Sequence, residues 1–308
     1  MQVTILLETI FVMVSLMLVG YIGAKKGLFT GEFLKALSKL VFNVFLSCSV
    51  FGSICGDVPE MSLASILGII GICALTIIIS YSLSTLVATL IYKDKPVGPA
   101  MEISIATMNT LLFGLPIVQE VYGPAAVLYM GLSSVGFNLI LFTYGTWRLG
   151  RNGTREGQRF RLKDILSPVL VATVLAFIFL MARIPVPSVV RRFLSATSGV
   201  TMPLSMIVLG VTMGAGNLMD AFRDKRVYAG AFFRLIVCPV LVFLVLSPIC
   251  TDPILLRTCV VIAGCPVGAI VPVLALQYNE DALFASRCVM VTTLMSVITL
   301  PTIILVLG

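Results

Sequence analysis

Long apolar runs constrain the fold of this chain more than any other feature. Ten of them lie between charge clusters and turn residues, at residues 3–24, 33–55, 62–92, 98–120, 125–148, 165–183, 192–215, 228–248, 254–278 and 282–307. A helix needs about 20 mostly apolar residues to cross a bilayer. Only 11% of the 308 residues are charged, against about 25% in a soluble domain. The sequence therefore predicts an all-α polytopic membrane protein with ten transmembrane helices.

Several classes of function are excluded by residues that the sequence lacks. There is no histidine, which excludes H-E-x-x-H zinc proteases and Ser-His or Cys-His catalytic pairs. No P-loop motif occurs, and the eight cysteines include no C-x-x-C pair. We expect no enzyme, no cofactor and no metal site. The net charge of +7 comes without a basic stripe and interleaved aromatic residues, so we expect no nucleic acid as a partner.

The positions of the basic residues predict the orientation of the chain. Thirteen Lys and Arg residues lie in the odd-numbered loops between spans, and only four lie in the even-numbered loops. Lys and Arg mark the cytoplasmic face. Both termini are therefore predicted outside the cell (inner) membrane, and the basic segment 149–163 is predicted to be a cytoplasmic linker. Binding of this linker to anionic lipid head groups is the alternative.

Matches across the midpoint of the chain predict an internal repeat. Residues 33–38 resemble residues 193–198, and further matches follow at an offset of 156, namely Pro116 with Pro272, Tyr122 with Tyr278, Ala126 with Ala282 and Thr143 with Thr299. Because five spans per repeat is an odd number, the second copy must be inverted in the membrane. The predicted parts are a first half at 1–148, the linker at 149–163 and a second half at 164–308.

The fourth and ninth spans each contain proline near mid-span with glycine close by. Gly114 and Pro116 lie in the fourth span, and Pro266, Gly268 and Pro272 lie in the ninth. Proline removes a backbone donor and clashes with the preceding turn, so we expect both helices to break. New half-helices should start near Pro116 and near Pro266 or Pro272. Ordinary kinked packing helices are the alternative.

The predicted topology places partial positive charges of helix N-termini at these breaks. Both new half-helices would point their N-termini, each with roughly +0.5 charge, at the bilayer midplane from opposite sides, which favours an anionic ligand. Asn109 and Thr110 offer hydrogen-bonding groups beside the first break. Asn43 near the middle of the second span either hydrogen-bonds another helix or faces a substrate cavity.

Three ionisable residues within spans are further candidates. Glu8 is explained by snorkelling to the outer surface, and Glu102 by placement at a membrane interface. Arg234, about two turns into the eighth span, is explained by its side chain reaching cytoplasmic water along its stem, and a role in substrate attraction or helix pairing is the alternative.

Two runs of residues resemble a known family. The run Asn109-Thr-Leu-Leu-Phe-Gly-Leu-Pro116 resembles the fourth helix of the auxin efflux carrier family, which includes the plant PIN-type carriers. The run Gly264-Cys-Pro-Val-Gly-Ala-Ile-Val-Pro272, with Leu300-Pro301 further on, resembles helices nine and ten of that family. Residues 41–46 in the second span are similar as well, so the resemblance covers essentially the whole chain.

The resemblance implies a ten-helix 5+5 inverted repeat in which helices 4 and 9 cross at their prolines. Helices 1, 2, 6 and 7 would form a scaffold, often dimeric, and helices 3–5 and 8–10 a mobile transport domain; we therefore expect a homodimer. It also implies small organic anions as substrates, either auxin or dicarboxylates such as malate and malonate. The short linker, and Cys265 where the first repeat has Asn109, favour simple carboxylates over an auxin-like acid.

The sequence thus predicts a secondary transporter that moves a small organic anion by elevator-type alternating access. The predicted substrate-binding residues are Asn43, Asn109, Thr110, Gly114, Pro116, Cys265, Pro266, Gly268 and Pro272. A cation/proton antiporter on a similar crossed-helix fold is the alternative. That chemistry requires carboxylates at the crossing, yet no Asp or Glu occurs at 104–118 or 259–278. The direction of transport and its energy coupling are left open.

Overall fold

The computed structural model describes residues 2–55, 63–91, 98–150, 168–182 and 184–307, and these residues form helices and connecting turns without a β-strand. In chain order the helices are α1 (Gln2–Lys25), α2 (Gly31–Leu40), α3 (Leu46–Ile54), α4 (Leu63–Ile91), α5 (Gly98–Ala106), α6 (Leu115–Tyr122), α7 (Pro124–Ile140), α8 (Thr146–Gly150), α9 (Pro168–Met181), α10 (Ser188–Ala215), α11 (Leu218–Arg223), α12 (Lys225–Phe232), α13 (Cys238–Leu246), α14 (Pro253–Gly264), α15 (Val271–Gln277) and α16 (Ala282–Leu307). The all-α prediction is confirmed for this part of the chain.

Several of these helices are long and apolar enough to cross a membrane. Within the described residues five qualify by length and composition, at Gly31–Gly52, Ala64–Ile91, Ser188–Ala215, Lys225–Leu246 and Ala282–Leu307. Shorter apolar helices lie at Phe11–Lys25, Thr110–Tyr122 and Pro253–Gly264. A multi-pass helical membrane protein follows from these spans, whereas the count of ten and the inverted repeat stay predictions. Apart from Leu149 and Gly150, the predicted linker lies outside the described residues.

Local sequence signals set several helix ends. The Thr30 hydroxyl accepts a hydrogen bond from the Phe33 N–H at 3.3 Å and caps α2. The Asp252 carboxylate accepts from the N–H groups of Ile254 and Leu255 and caps α14, whose first residue is proline. Both caps satisfy backbone donors that the first turn of a helix leaves free.

In the part of the chain that the structure describes, four π-helical turns widen the helices, at Val41–Phe45, Thr110–Gly114, Leu141–Gly145 and Phe233–Val237. Two of them directly precede a proline, Pro116 in α6 and Pro239 in α13. A proline ring clashes with the carbonyl four residues earlier, and a wider turn moves that carbonyl away. The other two π turns have no proline to explain them. Such turns are frequent at functional sites.

The chain forms two compact units. Unit 1 comprises Met1–Ile70, Leu111–Val135 and Leu166–Gly216, and unit 2 comprises Gly71–Thr110, Gly136–Ile165 and Asn217–Gly308. Each unit therefore draws on both predicted halves of the sequence. The division into the parts 1–148, 149–163 and 164–308 stays a prediction.

Unit 1 is centred on the packing of α1 along α10. A Cβ atom at Gly210 would meet the backbone of Met17, and one at Gly214 would lie 2.8 Å from the carbonyl oxygen of Tyr21. These glycines therefore allow the two helix backbones to approach closely, as small residues do in membrane proteins. The Ser49 and Ser198 hydroxyls, 3.1 Å apart, join α3 to α10 in the same unit.

Unit 2 buries α5 and most of α14 among α4, α12, α13 and α16. Every described side chain of α5 except Pro99 is buried. Large apolar side chains on the outer helices are exposed instead, including Leu86 on α4 and Ile298 on α16. This pattern is typical of helices that face lipid on one side. The polar groups described below therefore lie inside an apolar shell.

Candidate functional site

Two short non-helical segments pair inside unit 2. The first, residues 107–109, separates α5 from the π turn that begins at Thr110, and the second, residues 265–270, separates α14 from α15. The Asn109 N–H donates to the carbonyl oxygen of Pro266 at 2.8 Å, and the Gly268 N–H donates to that of Thr107 at 3.0 Å. Met108 and Val267 form an isolated antiparallel bridge. The two helix interruptions are therefore joined by their backbones.

This pairing accounts for backbone groups that helices would otherwise satisfy. Irregular backbone at membrane depth is tolerated only where it is buried in protein or lines a cavity. The Val267 N–H donates to the Thr292 hydroxyl of α16 at 3.1 Å, which satisfies a further donor. At Gly268 a Cβ atom would lie 2.9 Å from the Thr107 methyl carbon and 3.3 Å from the Met108 oxygen. Only glycine allows this close approach.

Arg234 provides hydrogen-bond donors to backbone carbonyl groups at the two helix interruptions. It lies in the π turn before α13, and its side chain is 0% exposed. Its guanidinium donates to the carbonyl oxygens of Cys265 at 2.9 Å, Ile105 at 3.0 Å and Ile262 at 3.2 Å. Ile105 and Ile262 lie in the last turns of α5 and α14, where the regular helical bonding of carbonyls ends, although the Ile262 carbonyl also accepts from the Cys265 N–H at 3.3 Å. One side chain thus caps the C-termini of both interrupted helices.

The charge of Arg234 has no carboxylate partner among the described residues. Its compensation comes from the carbonyl dipoles of two helix C-termini, each equivalent to roughly −0.5 charge. The expectation that Arg234 reaches cytoplasmic water is wrong, because the side chain is fully buried. Of the other two roles, helix pairing is the one that its contacts support. Its donors are directed at protein carbonyls.

The predicted site residues of unit 2 gather at these paired segments. They are Asn109, Thr110, Cys265, Pro266, Gly268 and Pro272. Asn109 is 5% exposed, and its side-chain nitrogen has no hydrogen-bond partner among the described residues. Thr110 is buried at the start of the π turn, and Pro272 is the second residue of α15. Cys265 and Pro266 contribute their carbonyl oxygens as acceptors.

The other three predicted site residues belong to unit 1. Gly114 and Pro116 are buried where the π turn passes into α6. The backbone is helical at Pro116, so the interruption of span four lies seven or more residues earlier than its proline. Asn43 is exposed in the π turn Val41–Phe45 and makes no hydrogen bond with its side chain to a described residue. That the two interruptions lie within membrane-crossing helices stays a prediction.

Glu102 differs from its sequence-based interpretation. We expected it at a membrane interface near the end of span four, but it is only 7% exposed on α5. The Arg148 guanidinium donates to both carboxylate oxygens, Nε to Oε1 at 2.8 Å and Nη2 to Oε2 at 2.7 Å. The Thr85 hydroxyl donates to Oε1 at 2.8 Å. Glu102 and Arg234 are the buried charged residues of the described chain.

Sequence reasoning missed three polar residues that shape this region. Thr85, Thr107 and Thr292 contribute hydroxyl or carbonyl groups to the contacts above, yet each lies in an apolar run without a motif. Threonine is common in membrane helices because its hydroxyl can bond the preceding turn. Its presence alone therefore gave no usable signal.

Comparisons with known proteins agree with a membrane carrier. The family described as "Membrane transport protein" matches residues 5–304. An uncharacterized transporter of Methanothermobacter thermautotrophicus is 25% identical over 295 residues, covering 96% of each chain. An uncharacterized transporter of Methanocaldococcus jannaschii is 24% identical over 303 residues, covering 95% of this chain and 96% of the relative. The uncharacterized transporter YfdV of Escherichia coli K12 is 23% identical over 79% of both chains.

Proposed function

Because this chain belongs to the membrane transport protein family, whose pattern it matches from residue 5 to residue 304, we propose that it is a secondary carrier for a small organic anion. The resemblance to the PIN-type carriers is confirmed at the level of the family, and a membrane transporter is the function that the family and relatives share. The proposed substrate is a simple carboxylate such as malate or malonate, held beside the paired segments.

The observation that carries this proposal is the buried, unpartnered amide of Asn109. A polar donor left without a partner in a protein interior costs about 1–3 kcal/mol. Such a group is expected where a ligand supplies the missing acceptor. A carboxylate oxygen accepts hydrogen bonds from amide N–H groups, and it does so more strongly than a neutral acceptor. Asn109 therefore supports an anionic ligand at this place.

The charges of the paired segments support the same choice. Arg234 offsets the negative C-terminal ends of α5 and α14, which would otherwise repel an anion. The half-helix that starts at Thr110 points its positive end at the same segment. No carboxylate occurs at 104–118 or 259–278 to compete for these groups.

We further propose elevator-type alternating access at the cell membrane. Spans 1, 2, 6 and 7 would form the scaffold of a homodimer, and spans 3–5 and 8–10 would move. The support is that both paired segments belong to one compact unit, which can carry a ligand without coming apart. Inverted-repeat carriers place their substrate at broken helices in this way.

A thermal-shift screen of the purified protein against a panel of carboxylates tests the proposed function. Ligand binding raises the melting temperature because it stabilises the native state by RT ln(1 + [L]/Kd), about 2.7 kcal/mol at 100 times Kd. We expect at least one carboxylate to shift the wild type. Asn109→Ala should reduce this shift, whereas Asn279→Ala, at an exposed turn residue, should leave it unchanged.

Two results would contradict the proposal. If no carboxylate shifted the wild type, an organic anion would be the wrong class of substrate. If Asn109→Ala and Pro272→Ala both left the response to every anion unchanged, the paired segments would not be the site. Sodium uptake driven by a pH gradient, without any organic anion, would instead support the cation/proton antiporter.

A further inference from the structure

We propose that Glu102 is a proton-binding residue that couples proton movement to transport of the anion, an inference that rests on the proposed carrier function. Proton-coupled carriers need a buried group that gains and loses a proton within the membrane. Among the described residues Glu102 is the buried carboxylate, and the chain has no histidine to take this role. Carboxylates outside the described residues are all placed in predicted loops.

The surroundings of Glu102 allow its protonation state to change. A small cavity of about 10 Å³ lies against Glu102, Arg148, Tyr81 and Tyr144, which is room for about one water molecule. The side chain of Arg148 is 21% exposed, so it can turn to water along its apolar stem when the carboxylate becomes neutral. In the neutral state the proton sits on one carboxylate oxygen, which changes from an acceptor into a donor.

Several hydroxyl groups lie between Glu102 and the paired segments. Thr85 donates to Glu102, and its hydroxyl lies 2.9 Å from that of Tyr144. The Tyr81 ring packs edge-on against Tyr144, with 5.9 Å between ring centroids. The Tyr81 hydroxyl faces that of Thr107, and neither has a partner within 3.5 Å among the described residues. Hydroxyl groups and water can each both donate and accept a proton.

The charged and titratable groups around Glu102 come from several of the elements that surround α5. Arg148 of α8 forms the ion pair, and Tyr81 and Tyr144 line the cavity beside it. Arg234 lies behind α5 at Ile105, and the Cys288 thiol of α16 lies beside Ser104. Protonation of Glu102 therefore adds one positive charge to a body that already holds the buried cation Arg234.

That added charge couples the proton to the anion. Glu102 and Thr107 are five positions apart, or about 7–8 Å along a helix. Opposite unit charges about 10 Å apart, at an effective dielectric constant of about 20, strengthen each other's binding on the order of tenfold. The effect is reciprocal: a bound anion favours the proton at Glu102, and the proton favours the anion. Moving both together also lowers the net negative charge that must cross the membrane.

Transport in proteoliposomes tests this proposal, with radiolabelled malonate as the probe and the membrane potential clamped at zero. In the wild type a pH gradient of about one unit should drive roughly tenfold accumulation for one proton per anion. Glu102→Gln, which keeps the shape and loses the proton site, should still exchange malonate but should not accumulate it. The matched control Glu120→Gln, at an exposed carboxylate of α6, should accumulate malonate as the wild type does.

Each outcome decides the question. Accumulation by Glu102→Gln equal to that of the wild type overturns the proton site. A wild type that exchanges malonate but does not accumulate it under the pH gradient overturns the proton site too. That result leaves the proposed carrier function intact. A wild type that neither binds nor exchanges malonate or the other carboxylates fails the proposed function, and the proton site with it. If Glu102→Gln does not fold, Tyr81→Phe decides: proton-driven uptake should slow relative to exchange, and an unchanged ratio contradicts the proposal.

Discussion

At the scale of single residues, two buried charges organise unit 2 in different ways. Arg234 has no acidic partner among the described residues and donates to three backbone carbonyls. Glu102 accepts both arms of Arg148 and a hydroxyl of Thr85. A charge held by backbone dipoles is fixed in place, whereas a carboxylate held by one partly exposed arginine can exchange its partner. The first therefore suits a structural role and the second a role in which charge changes.

Replacing Arg234 should destabilise the protein strongly. Arg234→Met leaves the carbonyl groups of Ile105 and Cys265 without a donor, whereas that of Ile262 keeps the Cys265 N–H. Each buried unsatisfied group costs about 1–3 kcal/mol. We expect a loss of about 3 kcal/mol or more. Arg234→Lys should cause a smaller loss, because an ammonium group can still donate to some of these carbonyls, although it cannot reach all three. Thermal unfolding in detergent, followed by circular dichroism, measures this. The control Arg223→Met, at an exposed arginine, should stay within about 0.5 kcal/mol of the wild type.

Asp224, between α11 and α12, should make the stability of the folded protein depend on pH in the acidic range. The Arg226 guanidinium, with further help from Arg287, lowers the pKa of its carboxyl from 3.8 to about 2. A lowered pKa means that the stabilisation is present above the unfolded value and is lost as pH falls through the folded one. Asp224→Asn keeps the helix cap but removes the charge. It should therefore lower the melting temperature at pH 7.

The difference between the wild type and Asp224→Asn should shrink once pH falls below about 4. It should nearly vanish at pH 2. Melting curves of both proteins across this range check the prediction, with Asp220→Asn as a control for an exposed acid that has no ion pair among the described residues. A difference that stayed constant down to pH 2 would show that the ion pairs do not act through this carboxyl.

At the scale of helices, interruptions and wide turns determine where polar groups can lie. The helical hydrogen-bond pattern is lost at 107–109 and 265–270, and the freed groups pair with each other, with Thr292 and with Arg234. Widened turns contain four polar residues discussed above, Asn43, Thr110, Tyr144 and Arg234, whereas Asn109 and Glu102 lie outside them. The regular helices elsewhere pack through their side chains, and glycine allows two helix backbones to approach most closely.

The contact between α1 and α10 should depend on Gly210. A methyl group there would meet the backbone of Met17, so Gly210→Ala must push the helices apart and should lower stability by about 1–3 kcal/mol. Gly199 lies on the same helix with open space around its Cβ position. Gly199→Ala should therefore be neutral, or stabilising by up to about 1 kcal/mol. Melting temperatures of the two variants measure the contrast, and equal effects would mean that this contact is not tight.

At the scale of the whole molecule, the described chain consists of two compact units inside a protein that crosses the membrane several times. The orientation rests on thirteen basic residues in odd-numbered loops against four in even-numbered loops. This asymmetry is a property of the entire chain, because it is counted over all the loops between spans.

The predicted orientation places the C-terminus outside. Alkaline phosphatase fused after Gly308 should therefore be active, because the enzyme requires an oxidising compartment. The same enzyme inserted at residues 152–156 of the predicted linker should be inactive. A fluorescent protein that folds only in the cytoplasm should show the opposite pattern at these two positions. Phosphatase activity at the linker alone would invert the topology and would reverse the direction assigned to every span.

Much of the fold and part of the site could be predicted from the sequence. Apolar runs of about 20 residues determine helical spans because a bilayer leaves backbone groups no partner outside the helix. Proline and glycine at 114–116 and 266–272 predicted helix breaks there, whereas the structure has non-helical segments at 107–109 and 265–270 and is helical at Pro116. The sequence did not give the position of the interruption before the π turn at Thr110. A proline indicates that a helix is destabilised nearby, but tertiary contacts determine at which residues the helical hydrogen bonds are lost.

What the sequence determined by itself is local: helicity, membrane insertion, the lack of carboxylates at 104–118 and 259–278, and the family. What only the tertiary structure decided is which groups meet. Arg234 reaches Ile105 across 129 positions, and Arg148 reaches Glu102 across 46. Hydropathy and helical period report on each span separately and contain no information on its neighbours. Packing determines which groups lie next to the buried charges. The proposed anion and proton sites depend on these partners.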